Sequence, residues 1–159
     1  MPWCRAYEIE QAYFAGRNVL VTPEQAEQAV HYLCWSFGVD APRVELSDKF
    51  DTYRGVYYPP HAGRPSRIRI GEKTFDWVVA HELGHHLDQV VFGGGGHDRT
   101  WAACYVYTVD ALLNPDLAKG LNRAFALSGI RRRLGASLTP QALALAKRQQ
   151  QVSASSSRQ

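Results

Sequence analysis

Apolar residues recur at helical spacing in several stretches of this chain and alternate with polar ones in another. Ala26, Val30, Leu33, Cys34 and Phe37 share one side of a helix that Thr22 caps, Pro23 opens and Gly38 closes. Phe75, Val78, Val79, Leu83 and Leu87 draw a second stripe. It predicts an amphipathic helix from Thr74, as N-cap, to about Val91, with Asp76 in the first turn where a negative charge suits the macrodipole. Trp101, Val106, Val109 and Leu112 mark a third helix from Asp98 to Leu113 that backs the second, and Asn114-Pro115 breaks it. A short helix over 116–128 closes at Gly129, and a last one starts at Thr139-Pro140.

Segments 43–47, 53–58 and 66–70 read as short strands. In the last, Arg67-Ile68-Arg69-Ile70 alternates with period two, so one face packs and the other is wet. At a sheet edge such a strand would offer an extended peptide a partner. Pro59 to Pro65 is a loop carrying His61, and His31 is an ordinary histidine on its helix. The elements predict an α+β class with one domain over 1–147, and 148–159 is a Gln/Ser tail without core residues. At 159 residues and 45% hydrophobic, the chain is long enough to bury a core without staples. Cys4, Cys34 and Cys104 are an odd number without a C-x-x-C pair, which fits reduced thiols in a cytoplasm. The opening residues include Glu8 and Glu10 and no long apolar run, so neither a signal peptide nor a membrane span is expected.

Charge divides the chain. Residues 1–116 hold ten Lys/Arg and fifteen Asp/Glu, whereas 117–159 hold eight Lys/Arg and no acid. Arg131-Arg132-Arg133 is the focus of that basic part. Such a cluster can contact nucleic acid weakly by charge alone, although no aromatic interleaving marks a reader motif, and a solvated basic tail is the plainer account.

The chemistry lies in the second helix. His81-Glu82-Leu83-Gly84-His85 places two imidazoles one turn apart on one face, where they can grip one metal ion. The glutamate beside the first reaches a water that a divalent zinc would acidify. Gly84 costs about 1 kcal/mol of helix propensity relative to alanine, which points to close approach by another backbone. A catalytic zinc takes three protein ligands and one water. Asp88 and Val91 stand where a metzincin needs glycine and histidine, and no glutamate follows Glu82 to serve as a gluzincin ligand. His97 is the only histidine beyond the helix, delivered by Gly93-Gly94-Gly95-Gly96, and is the favoured third ligand. Asp98, Asp110, Asp116, His86 and Asp88 are the alternatives, with a Cys104 thiolate behind them.

The H-E-x-x-H, the short loop and the following Gly96-His97-Asp98-Arg99-Thr100-Trp101 resemble the SprT-like branch of zinc metallopeptidases, in which an aromatic follows the third histidine. A closer resemblance is to a small family of predicted zinc metallohydrolases of actinobacteria and their phages. It runs from Arg5-Ala6-Tyr7-Glu8 through Ala80–Leu87 and Leu113–Leu117 to Arg123-Ala124-Phe125, ending near Gly129-Ile130. Asp98, where glycine is more usual, and the loose glycine run depart from the pattern. The resemblance implies a minimal zincin-like domain: a small twisted sheet with an edge strand beside the metal helix, backing helices, and zinc hydrolase chemistry without a settled substrate.

Two functions of different class follow. One is a zinc-dependent hydrolase, a peptidase acting on a peptide or protein, with His81, His85 and His97 as ligands and Glu82 as general base. The other is a non-catalytic, metal-stabilised module that contacts nucleic acid or protein through its basic end. The intact Glu82 favours catalysis, because a structural site needs no base. Tyr53, Tyr57, Tyr58, Tyr105, Tyr107 and Arg99 are the candidates for stabilising an oxyanion.

Overall fold

The computed structural model describes residues 2–130, with side chains from Arg5 onward. Arg131–Arg133, the helix expected at Thr139-Pro140, the domain end at 147 and the 148–159 tail lie outside the described residues. The described part is α+β. In chain order its elements are α1 (Pro2–Tyr13), β1 (Leu20–Val21), α2 (Pro23–Phe37), β2 (Arg43–Leu46), β3 (Gly55–Tyr58), β4 (Arg67–Ile70), β5 (Thr74–Phe75), α3 (Asp76–Phe92), α4 (Arg99–Leu112) and α5 (Pro115–Leu127). No described helix is long and apolar enough to cross a membrane.

Local chemistry sets most boundaries as expected. Thr22 and Gln25 form a reciprocal capping box at the start of α2, and Gly38 ends it in the left-handed region at φ 74°. Asp98 caps α4 through the Thr100 and Trp101 amides, and Asn114 caps α5 with Pro115 as first helical residue. Gly129, at φ 79°, takes the chain out of α5. Thr74 is a correction. It lies in β5, pairing with Val21, and its hydroxyl donates to the Thr52 carbonyl, so α3 begins at Asp76 without a side-chain cap. Arg17 holds that end instead, through a 2.7 Å ion pair with Asp76.

The sheet also corrects the sequence reading. Its order is β2-β4-β3, with β4 parallel to β2 and antiparallel to β3. The strand over 66–70 is therefore central, not an edge, and β3 is the edge strand toward α3. The expected alternation holds, since Ile68 and Ile70 are fully buried. On the other face Arg67 and Arg69 pair with Glu45 and lie over the Tyr58 ring.

Helix α3 is not amphipathic but central, with little of it facing water. Val79, Leu83, Leu87 and Val91 pack with α2 and β4 residues in one apolar cluster. Trp77, Val78 and Ala80 pack with residues of α1, α4 and α5 in another. Gly84 explains how α4 comes so close: a Cβ there would sit 3.0 Å from the Tyr105 Cα and 3.2 Å from its amide nitrogen. Gly84→Ala should therefore lower stability by about 1–3 kcal/mol through overpacking, outweighing the ~1 kcal/mol that alanine adds in helix propensity. Urea unfolding of the metal-free protein checks this, and a more stable variant would show that the two helices part freely.

Candidate metal centre

The i, i+4 spacing and the glycine loop converge as chemistry requires. His81 and His85 extend from successive turns of α3, and the chain leaves the helix through Gly93, at φ 66°, to bring His97 back. The Nε2 of His97 lies 3.1 Å from the Nε2 of His81 and 3.1 Å from that of His85. Nitrogens in a tetrahedral shell at about 2.0–2.1 Å from zinc stand roughly 3.3 Å apart. Three imidazoles with their lone pairs turned on one another fit a cation between them, and they form the group of possible metal ligands found among the described residues.

The other candidate ligands are elsewhere. Asp98 spends its Oδ1 on the Thr100 amide and hydroxyl and the Trp101 amide. His86 donates from Nε2 to the Asp40 carbonyl at 2.8 Å. Asp88 is buried against Gly94, whose missing side chain makes room for its carboxylate. Asp110 and Asp116 are exposed, and Cys104 belongs to the α2-side core, its thiol pushed well up by burial. His61 sits in its loop bridged to Arg64, and His31 faces Glu27 on the surface.

Sequence reasoning missed α1 and, with it, Glu10. This carboxylate is 1% exposed and accepts from His81 Nδ1 at 2.8 Å and from the Tyr105 hydroxyl at 2.5 Å. With Nδ1–H committed to Glu10, His81 presents Nε2 as a lone pair to the centre, an arrangement that orients a ligand and raises its basicity. The helix itself had a signal: Ala6, Ile9, Tyr13 and Phe14 recur at helical spacing, with Glu10 on their face and Glu8 on the exposed one. Glu10→Gln should keep the fold but weaken metal binding by about 10–100-fold, read by competition with a chelator. An unchanged affinity would reduce Glu10 to packing.

Trp101 closes the back of the centre. Its fully buried ring lies 4.8 Å from the His81 ring, 5.3 Å from His85 and 4.5 Å from His97. Burial opposes protonation of all three imidazoles. It pulls His85 down to about 2 and His97 to about 4, helped by the charge of His81. His81 goes the other way: burial lowers it, but Glu10, by charge and hydrogen bond, and Glu82, by charge, raise it overall. Of the three, His81 is thus the imidazole that takes up a proton most readily.

Glu82 lies beside this cluster, 5% exposed, its carboxyl pushed up to about 7 by burial, against the pull of His81 and of the Tyr57 amide. Gly55 of β3 faces it so closely that a Cβ would meet the Glu82 Cγ at 2.7 Å. Glu82 and His85 line a cleft of about 220 Å³ whose walls include Tyr7, Gly55–Tyr57 of β3, Gln89 and Gly94.

Of the expected oxyanion donors, Tyr57 alone lines this cleft, and its hydroxyl is engaged by Gln89 at 3.2 Å and His86 at 3.3 Å. Tyr105 is bound to Glu10, Tyr53 packs on Phe75, Tyr58 lies under Arg67 and Tyr107 is in the α2-side core. Arg99 lines a separate cleft with Arg5 and His97. No protein-family model matches this chain, and no curated protein or solved structure matches it.

Proposed function

We propose that this chain is a zinc-dependent hydrolase acting on a peptide or protein, built on a minimal zincin-like frame. One observation carries the reading: three imidazole Nε2 atoms converge beside a buried glutamate that is not among them, at the side of an open cleft. Three neutral nitrogen donors leave a coordination position free, the arrangement of catalytic rather than structural zinc. The donor set fits zinc, and His81, His85 and His97 would hold it. When bound, the ion supplies Lewis acidity, lowering the pKa of water and polarising a carbonyl.

The chain's own residues do the rest. Glu82 takes a proton from the attacking water as its oxygen bonds to the carbonyl carbon and the C=O π pair moves onto the carbonyl oxygen. That pair returns as the C–N bond breaks, and the proton on Glu82 passes to the leaving amine. Trp101 and the buried faces of α3 and α4 keep bulk water from the back of the centre. The extended backbone of β3 beside the cleft offers a peptide an edge to pair with. Glu82 distinguishes this reading from the non-catalytic module, which has no use for a buried base at an open site. Incubating the zinc-loaded chain with a peptide library and identifying fragments by mass spectrometry tests it. Cleavage that a chelator abolishes supports the hydrolase, and no cleavage of any peptide or denatured protein favours the binding module.

A further inference from the structure

Hydrolysis by this route places negative charge on the carbonyl oxygen, and removing one preorganised donor to such an oxygen typically costs 10²–10³-fold in rate. The cleft beside the centre allows an elimination. Its walls carry five side chains with polar atoms: Tyr7, Tyr57, Glu82, His85 and Gln89. His85 belongs to the imidazole cluster and Glu82 is the base. Tyr57 and Gln89 are hydrogen-bonded to each other. Tyr7 remains, and its hydroxyl has no hydrogen-bond partner among the described residues.

Its ring lies against the imidazole cluster, on the wall of the same cleft. Tyr7 stacks on the His81 ring at 5.3 Å and 15°, and meets the His97 ring edge-on at 4.8 Å. It comes from α1, one turn before Glu10, so the helix that orients His81 from behind also lays a phenol across two rings of the cluster. The residue is 43% exposed and lines the cleft. A phenol is a neutral donor at physiological pH.

We propose that Tyr7 is a catalytic residue that donates a hydrogen bond to the carbonyl oxygen as it gains charge; this rests on the hydrolase reading of the same centre. The π pair of the C=O moves onto that oxygen as the water oxygen bonds to carbon. Tyr7 keeps its proton throughout, and the pair returns when the C–N bond breaks. The donor would serve equally a tetrahedral anion bound at the centre.

Tyr7→Phe separates this role from packing, because phenylalanine keeps both ring contacts and removes only the hydroxyl. Zinc-loaded wild-type and Y7F chains are titrated with inorganic phosphate by calorimetry, and their zinc content is measured alongside. Y7F should hold zinc as the wild type does but bind phosphate roughly tenfold or more weakly, the loss of one hydrogen bond to a charged acceptor. On a cleaved peptide, kcat should fall about 10²-fold with little change in KM. Equal phosphate affinity in the two proteins, no phosphate binding by the wild type, or undiminished kcat in Y7F would overturn the proposal. Glu82→Gln separates the two readings. Full turnover in E82Q defeats the hydrolase mechanism, whereas an inactive E82Q beside a fully active Y7F defeats the role of Tyr7 alone.

Discussion

His97→Ala is expected to weaken metal binding sharply while leaving the protein folded. Four-ligand structural zinc sites bind with about 10–16 kcal/mol, so one ligand of a smaller set carries roughly 3 kcal/mol, or about 10²-fold in affinity. The fold survives because His97 is half-exposed at the end of a glycine run and outside both apolar clusters. Asp98→Ala is the informative neighbour. It removes the cap of α4, costing about 1 kcal/mol of stability, and should leave metal content unchanged. Full occupancy in His97→Ala with loss in Asp98→Ala would reverse the ligand assignment.

Acid should act on the same equilibrium in a defined direction. In the metal-free centre His81 takes up a proton first, its pKa raised from 6.5, while His85 and His97 stay neutral down to about 2 and 4. Below the His81 value, binding must displace that one proton. Metal affinity should therefore fall about tenfold per pH unit once the pH drops below the His81 value, and level off above it. Chelator competition between about pH 6 and pH 8 gives the slope. A flat profile would mean that the proton is not on a ligand.

What the sequence disclosed, and what it hid, divides along one physical line. Cap chemistry is local, so Thr22, Gly38, Asp98 and Asn114-Pro115 announced their elements from a few residues of context. The histidine pair was legible because four residues make about one turn, and Gly84 because the helix propensity it gives up needs a close neighbour to explain it. Phe75, Val78 and Leu83 misled as a single stripe. A helix wedged between two cores needs apolar residues all round, and Trp77, Ala80 and Val91 supplied the rest of them. Thr74 had a cap's chemistry but spent it on β5. Apolar spacing marked α1 as a helix, but nothing local marked its long-range partner. Glu10 stands 71 positions before His81, and nothing near either residue states that α1 crosses the centre. The rank of β4 within its sheet was hidden for the same reason, since strand order is decided by pairing across the chain.

Glu82→Gln should abolish hydrolysis while retaining both fold and metal. Glutamine has the shape of glutamate, so it fits beneath Gly55, where space for the side chain is tight, and can still accept from the Tyr57 amide. It brings no lost ligand, because Glu82 is not one of the three converging groups. What it lacks is a lone pair basic enough to take the water's proton, and removing a general base costs about 10²–10⁴-fold. The pH profile carries the same signature. Burial lifts the carboxyl to about 7 in the metal-free chain, and a cation beside it pulls that value down. Hydrolysis by the zinc-loaded wild type should therefore lose activity on acidification through a pKa below about 7, the limb on which Glu82 gains a proton and ceases to be a base. In Glu82→Gln the residual rate should not show that limb. Unchanged turnover in the variant, with zinc in place, would assign the proton to another group and leave the buried carboxylate without a catalytic role.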